Sequence, residues 1–435
     1  MKRISSEPQN LPETIIWYYI IGTYPIYFLG LQYLAVSLLV AFLTFYLLKK
    51  WWDQTEETPA SEQIIVSPST GIWLIAVLVI EIALIIGHLN FRYGITEIIK
   101  ASLNLYRGWG LFALFTLAGH LNIRAKLIYR AICILCFQSI FVILIGTIAN
   151  FLHLPTISFI SPASALGGGA LPNYVQVFQS IVGDIESNRR LQLFTPWPPA
   201  LGMVGDIYFC LACQETNKKW RWFGMVGAVL MIVGSVSRLA IVGLPIVLLL
   251  VWFLTNFTRP RTQFLAGSIS FISAIFYPTI ISVLETLKEQ FTRFRSDSSK
   301  VRSAIQRMTK ERWWNEAPIW GHGHIESRGP AALAYMPLGS HHTWFSILYT
   351  QGLVGCTALA MAFLWSFIDL VIKAQTYQHA KVGLSIILIV LLFSFGENVD
   401  NIAYTYWPAL IVLGVAFKEG QILNYQEISS LEKIK

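Results

Sequence analysis

Long apolar runs recur from one end of this 435-residue chain to the other, and they decide what it can fold into. The chain is 55% hydrophobic and only 13% charged, with a mean hydropathy of +0.56. Since roughly twenty apolar residues cross a bilayer, we expect an all-α integral membrane protein with about twelve transmembrane helices. The predicted spans are 14–29, 31–48, 71–89, 107–121, 127–149, 197–214, 221–236, 239–257, 264–285, 343–371, 382–396 and 401–417.

Basic residues mark every second connection between these runs. An excess of Lys and Arg in short loops is typical of the cytoplasmic side, so both termini are predicted to be cytoplasmic in a multi-pass protein of the cytoplasmic (inner) membrane. The net charge of +8 does not indicate a nucleic-acid partner, because it is spread over these small clusters. The clusters are Lys2-Arg3, Lys49-Lys50, Arg124 to Arg130, Lys218 to Arg221, Arg259 with Arg261, Lys373 with Lys381, and the segment from Lys418 onward.

The opposite connections are longer, and they divide the chain. Residues 1–149 are predicted to be N-terminal helices, and 150–196 an extracytoplasmic loop. Residues 197–285 form the central helices. Residues 286–342 form a large extracytoplasmic loop before the tenth helix, and this loop is predicted to carry the active site. Residues 343–435 complete the chain with C-terminal helices and a cytoplasmic tail.

The large loop is itself basic, although it is predicted to lie outside. Arg302, Arg307 and Arg312 belong to it, and Arg238 places a lone charge at the outer boundary of two apolar runs. Arginine presents a planar fork of donors that matches phosphate oxygens, so these side chains indicate an anion such as a lipid-linked diphosphate. Contact with lipid headgroups or with acids of the same loop is the alternative.

Four histidines also concentrate in the large loop: His322, His324, His341 and His342. A neutral imidazole can accept a proton from a hydroxyl nucleophile, so one of them is a candidate general base. A zinc site is the alternative, since His-x-His can bind zinc. No carboxylate or cysteine is placed as an obvious third ligand, and we therefore predict neither a metal nor a cofactor.

Two acids lie inside predicted spans, Glu81 and Asp206. Intramembrane carboxylates are usually paired or functional, but the sequence does not reveal their partners. All five cysteines fall within apolar runs and are interpreted as helix-packing residues.

Three segments together resemble the signature of the O-antigen ligase and O-antigen polymerase superfamily. Members of that family show an arginine, a Pro-x-x-Gly-x-Gly turn, and a His-Asn step that leads into a helix ending in Gly-hydrophobic-hydrophobic-Gly. The matching segments are Arg302-Ser-Ala-Ile-Gln-Arg307, Pro318-Ile-Trp-Gly321-His-Gly323, and His341-His-Thr-Trp through Gly352-Leu-Val-Gly355.

The resemblance assigns roles to particular residues. With the two closing glycines in register, His341 falls on the family histidine, and His342 replaces the usual asparagine. Arg302 is the candidate family arginine, with Arg307 as a rival because the spacing to Pro318 is about one residue long. Ser237-Arg238 is similar to a second family motif, and Arg189-Arg190 through Pro196 loosely resembles a third, although Gln192 and Thr350 depart from the pattern.

The resemblance implies an inverting, metal-independent glycosyltransferase with its active site on the outer face of the membrane. The donor would be a glycan on a polyprenyl diphosphate, and the acceptor a sugar hydroxyl on a glycolipid or on another lipid-linked glycan. His341 would be the general base, with Arg302 and Arg238 on the diphosphate. The further substrate-binding candidates are Arg189, Arg190, Arg307, Arg312, His322 and His342.

Other functions stay open at this point. A polytopic exporter or flippase of polysaccharide or lipid-linked glycan would suit the span count, although the chain shows no convincing internal repeat. A membrane scaffold would leave the outer arginines and histidines without a role. The sequence also does not separate a ligase from a polymerase, because the two differ in the acceptor and share the donor chemistry.

Overall fold

The structure is a computed structural model of a mostly helical chain. It describes residues 7–55, 57–59, 63–152, 157–163, 174–177, 190–279, 281–283, 285–286, 296–325, 329 and 336–420.

The first half of the chain contains seven α-helices among its described residues. They are α1 (Leu11–Ile21), α2 (Thr23–Phe28), α3 (Gln32–Trp52), α4 (Pro68–Asn90), α5 (Ile95–Leu105), α6 (Leu111–Ala118) and α7 (Ala125–Phe151). A π turn at Tyr106–Gly110 joins α5 to α6, so these two helices form one bulged segment.

Two short strands follow within the predicted loop 150–196. Strands β1 (Ile157–Ile160) and β2 (Tyr174–Val177) pair antiparallel, with Ile157 opposite Val177. The expectation of a mostly helical chain is confirmed. The two-stranded sheet was not predicted from the sequence.

The second half of the chain carries the remaining helices. They are α8 (Pro198–Ala212), α9 (Lys218–Ser235), α10 (Arg238–Asn256), α11 (Pro260–Ile275), α12 (Ser296–Glu316), α13 (Thr343–Lys373), α14 (Gln378–Ser394) and α15 (Ala403–Lys418). A 3-10 turn at Asp400–Ile402 joins α14 to α15. Helix α12 lies inside the predicted loop 286–342, where no helix had been expected.

Within the described ranges, each predicted apolar run contains helix, but many of these helices are short or broken. Among the described residues, five helices are long and apolar enough to cross a membrane: α3, α4, α7 through Ile148, α10 and α13. A sixth span results if Pro260–Ile275 and Tyr277–Val283, which meet at 77°, count as one. The membrane character is therefore supported, and the number of about twelve spans stays a prediction.

Helix α15 forms the centre of the bundle. This helix is apolar on every side. Its buried residues include Leu410, Ile411, Leu413 and Phe417, which are fully buried. A helix that is hydrophobic all round belongs in an interior, and here α6, α8, α14 and α3 surround it. This central packing fixes the connection between α14 and α15, from which the candidate site is built.

Candidate functional site

Helix α13 is broken in the middle, and the Pro318 to Gly323 turn fills the break. Gly352 has φ 63° and ψ −160°, which interrupts the helical hydrogen bonds on both sides. The turn supplies the missing partners. Its carbonyls at Pro318 and Ile319 accept from the N–H groups of Leu353 and Val354, at 2.9 and 3.2 Å. A broken helix inside an apolar bundle is thereby left with paired backbone groups.

The glycines of the motif are required by close backbone contacts. A Cβ on Gly352 would collide with the carbonyl of Ile319, and one on Gly321 would lie 2.5 Å from the amide nitrogen of Gly352. Both residues have positive φ, a conformation that glycine adopts without strain. The Pro-x-x-Gly-x-Gly and Gly-x-x-Gly patterns are thus two halves of one joint.

His322 is held inside this joint. Its ring lies between Tyr349 and Phe91, with ring centroids at 4.2 and 4.9 Å, and the side chain is buried. Its Nε2 lies 2.8 Å from Glu316 Oε2, and its Nδ1 lies 3.1 Å from the Tyr349 carbonyl. Both ring nitrogens therefore have protein partners, which favours a structural role for this predicted substrate-binding residue.

His342 caps the first turn of α13. Its Nδ1 accepts a hydrogen bond from the Phe345 amide at 3.4 Å, and its own amide donates to Asn398 Oδ1 at 2.7 Å. Asparagine is among the preferred N-cap residues, and an unprotonated imidazole nitrogen can likewise accept a hydrogen bond from an amide of the first helical turn. Burial lowers the pKa of His342, which keeps that nitrogen unprotonated. The residue that replaces the family asparagine thus acts as a helix cap.

His341 has a different environment from its neighbour. It adopts φ 60°, a left-handed conformation that is uncommon for a residue with a side chain. Strained residues of this kind concentrate at functional sites. Burial, followed by the positive charge of Arg302, lowers the pKa of His341. Within the described ranges its ring makes no hydrogen bond, so it is a neutral imidazole with accepting capacity at neutral pH.

Arg302 reaches the connection between α14 and α15. Its NH1 donates to the Gly396 carbonyl at 3.5 Å, and its NH2 lies 3.9 Å from Glu397 Oε1. The guanidinium is 43% exposed, whereas the Glu397 side chain is 6% exposed. A long ion pair with one accessible partner leaves the guanidinium within reach of a ligand anion.

Helical phase separates Arg302 from Arg307. Among the side chains of α12 that the structure describes, Ile305 and Thr309 are buried, and Arg302 shares their face at a spacing of i, i+3 and i+7. Thr309 Oγ1 accepts from the Gly339 amide at 3.0 Å, which holds this face beside His341. Arg307 lies on the exposed side of the helix.

Arg312 lies at the other end of α12. Its Nε and NH2 each donate to the Glu316 carboxylate at 3.0 Å, and its guanidinium lies 5.8 Å from the centre of the Tyr349 ring. Arg312, then His322, lower the pKa of Glu316. This predicted substrate-binding residue is therefore part of the joint at Gly352.

Glu397 is a site residue that was not predicted from the sequence. Burial raises its pKa to about 7, while Arg302, the Trp197 indole and Arg190 oppose this rise. Its carbonyl accepts from Thr343 Oγ1 at 2.7 Å, so it is tied to the start of α13 as well. The available signal was the polar run Glu397-Asn-Val-Asp-Asn401 in the short connection between two apolar runs.

Two further predicted arginines, Arg190 and Arg238, lie at the α9–α10 junction. Arg190 NH2 donates to the Val236 carbonyl at 2.6 Å, and Val236 has φ 49°, which ends α9 in a tight turn. Ser237 then caps α10 by accepting from the Ala240 amide at 3.4 Å, and Arg238 is the exposed first residue of that helix. Arg189 lies outside the described residues.

The two acids of the predicted spans, Glu81 and Asp206, have unlike environments. Glu81 accepts a short hydrogen bond from Ser102 of α5, which supplies the partner that the sequence could not reveal. Asp206 of α8 is fully buried, and neither carboxylate oxygen is hydrogen-bonded to a described residue. In the described part of the chain, no three His, Cys, Asp or Glu side chains form a group that could hold a metal ion.

A cavity of about 640 Å³ adjoins this site. It lies between α5, the π turn, the first turns of α13 and the start of α15. Thr343 borders the cavity and also donates to the Glu397 carbonyl, so the two spaces share a wall.

The fold and the site together define a helical membrane protein with an arginine, histidine and carboxylate cluster where the connection between α14 and α15 meets α12 and α13. Residues 223–360, about a third of the chain, match the family model described as O-antigen ligase. The match contains Arg238, Arg302, His341 and Gly352, and it confirms the superfamily resemblance drawn from the sequence. No curated protein matches the chain.

Proposed function

We propose that this protein transfers a glycan from a polyprenyl-diphosphate donor to a sugar hydroxyl, as a ligase or polymerase of surface polysaccharide. The observation that carries the proposal is the position of His341, which has a left-handed backbone and a lowered pKa beside the accessible guanidinium of Arg302. The O-antigen ligase match over the same residues supports the choice of reaction class.

The proposed setting is the outer face of the cytoplasmic membrane. The alternating Lys and Arg clusters of the short connections support cytoplasmic termini, and the site then falls on the opposite side. A lipid-linked donor and a lipid-linked or glycolipid acceptor would both reach such a site by lateral movement in the bilayer.

In the proposed step, the acceptor hydroxyl attacks the anomeric carbon of the donor sugar. The new bond joins the hydroxyl oxygen to that carbon, and the bond from the carbon to the diphosphate oxygen breaks with its electron pair. The proton of the hydroxyl passes to the His341 imidazole, which is neutral because burial and Arg302 lower its pKa. Attack opposite to the leaving group inverts the anomeric centre.

Arginine side chains would stabilise the charge that grows on the departing diphosphate. Arg302, whose charge acts on His341, is the first candidate, and Arg190 and Arg238 at the α9–α10 junction are the others. Preorganised cations of this kind can stabilise a phosphate leaving group without a metal. Glu397 would be a positioning residue, since its ionised carboxylate orients the Arg302 guanidinium.

Cells that lack this protein, complemented with His341→Ala, test the proposal. We expect loss of the transfer product, with the variant present in the membrane at the level of the natural protein. Single repeat units on the glycolipid core would identify a polymerase, whereas long chains left on the polyprenyl carrier would identify a ligase. Normal polysaccharide in the variant would rule out the assignment of His341.

A further inference from the structure

The cavity of about 640 Å³ shares a wall with the proposed transfer site, but neither His341 nor Arg302 lines it. Its lining mixes hydrogen-bond donors and acceptors with aromatic rings. Asn104, Gln351 and Asn401 provide the amides, and Trp109 and Trp197 provide the aromatic surfaces. Sugars present hydroxyls that both donate and accept, and a few placed polar groups among aromatic walls are typical of small-molecule sites.

The charged side chains Lys100 and Arg107, which border this cavity, are balanced there by the carboxylates of Glu97 and Asp400. Lys100 Nζ forms an ion pair with Glu97 at 2.8 Å, and the Arg107 guanidinium lies 5.0 Å from the centre of the Tyr33 ring. Burial raises the pKa of Asp400, which also borders the cavity, to about 6, so its carboxylate is largely ionised at neutral pH. A site whose positive charges are balanced by carboxylates suits a neutral, hydroxyl-rich ligand better than a negatively charged diphosphate.

Helix α5, one wall of the cavity, has two opposite faces. Ile95, Ile99 and Leu103 recur at i, i+4 and i+8 and are 69%, 54% and 48% exposed. Asn104 and Lys100 lie on the other face and border the cavity. An amphipathic helix with exposed apolar residues on one side is suited to the plane of the membrane interface. The cavity would then open where a sugar can enter while its lipid anchor stays in the bilayer.

We propose that this cavity binds the acceptor, as the sugar end of a membrane-anchored glycolipid or lipid-linked glycan, while the arginine side of the site binds the donor. This inference rests on the proposed function and extends it to a second substrate. Thr343 borders the cavity and stands two residues after His341, so an acceptor hydroxyl at this wall lies beside the proposed base.

The two substrate spaces are joined by the connection from Glu397 to Asn401. Thr343 Oγ1 donates to the Glu397 carbonyl at 2.7 Å and accepts from the Val399 amide at 3.1 Å. Glu397 faces Arg302 on one side, and Asn401 borders the cavity on the other. One short segment thus contacts both the donor arginine and the acceptor cavity.

Asn104→Trp tests this assignment, because Asn104 is exposed on α5 and a larger side chain there would fill the cavity. Ile99→Trp is the matched control, with the same new side chain on the opposite face of the same helix. Transfer is measured with protein in lipid nanodiscs, a polyprenyl-diphosphate-linked glycan and the glycolipid extracted from cells lacking the protein. We expect Asn104→Trp to raise the acceptor KM by about tenfold or more, with the donor KM unchanged.

Two results would overturn the inference: an acceptor KM equal to that of Ile99→Trp, or a rise in the donor KM, which would place the donor glycan in the cavity. Binding of the extracted glycolipid to Arg302→Ala, followed by native mass spectrometry, separates this inference from the proposed function. Loss of that binding on adding Asn104→Trp supports the cavity even if no turnover occurs. Equal binding by both variants refutes it.

Discussion

The start of α13 at Thr343 and its break at Gly352 lie nine residues apart and differ in how far their polar groups are paired. At the break, the turn from Pro318 to Gly323 pairs the exposed backbone groups, and His322 has a partner on each ring nitrogen. At the start, His341 has a strained backbone beside an accessible arginine. His322 therefore helps to build the site, whereas His341 is left available for the proposed proton transfer.

The largest effect should separate the two adjacent histidines. His341→Ala removes the proposed general base and should lower the transfer rate by about 10²- to 10⁴-fold. His342→Asn is the matched control, since asparagine can also cap α13, and it should retain most of the rate. Steady-state transfer at equal protein levels measures both. If His342→Asn abolished transfer and His341→Ala did not, the two roles would have to be exchanged.

The next effect concerns the two arginines that the sequence left as rivals. Arg302→Ala should lower kcat by about 10²- to 10³-fold, because it removes a donor that stabilises the leaving diphosphate. Lys310→Ala, an exposed change on the same helix, is the control for loss of a positive charge. Arg307→Ala should cost much less than Arg302→Ala, since Arg307 lies on the exposed side of α12. Equal losses at the two arginines would contradict the helical phase argument.

A change at the break should act on stability instead of chemistry. Gly352→Ala places a Cβ against the Ile319 carbonyl in a conformation largely restricted to glycine, and should cost about 1–3 kcal/mol. Gly267→Ala is the control, because a Cβ there meets nothing within 4 Å. Thermal unfolding in detergent should show a lower midpoint for Gly352→Ala alone. An unchanged midpoint in that variant would mean that the turn does not support the break.

The smallest effect is a pH dependence at the start of α13. The ionised form of Glu397 is lost as the pH falls through about 7, and the neutral form of His341 is lost further down, since its pKa is lowered. The wild-type rate should therefore begin to fall near pH 7 and drop by about tenfold per unit once His341 is protonated. Glu397→Gln should remove the upper part of this fall and keep the lower part. A pH profile identical to that of the wild type would exclude Glu397 from the titration.

The sequence predicted the parts of the site that depend on local order. The glycine register selected His341 over His342, and hydropathy located the apolar helices. It did not predict Glu397, because that residue meets Arg302 only through the packing of α14 and α15 against α12 and α13. The choice between Arg302 and Arg307 also required the phase of α12, a helix within a segment read as a loop.

The number of membrane spans is also hard to predict from the sequence. Apolar runs identify helices, but a break such as Gly352 or the π turn at Tyr106–Gly110 depends on which backbone groups a neighbour can satisfy. Hydropathy along the chain does not reveal which segments will be neighbours in the folded protein. Only the longer helices therefore meet the length of a membrane span by themselves.

The joint at Gly352 also determines how the chain approaches His341. The chain leading to His341 is anchored twice, at Gly323 by the Thr350 carbonyl and at Gly339 by Thr309. Both glycines have positive φ, at 85° and 79°, so a side chain at either anchor would strain the backbone on its way to His341.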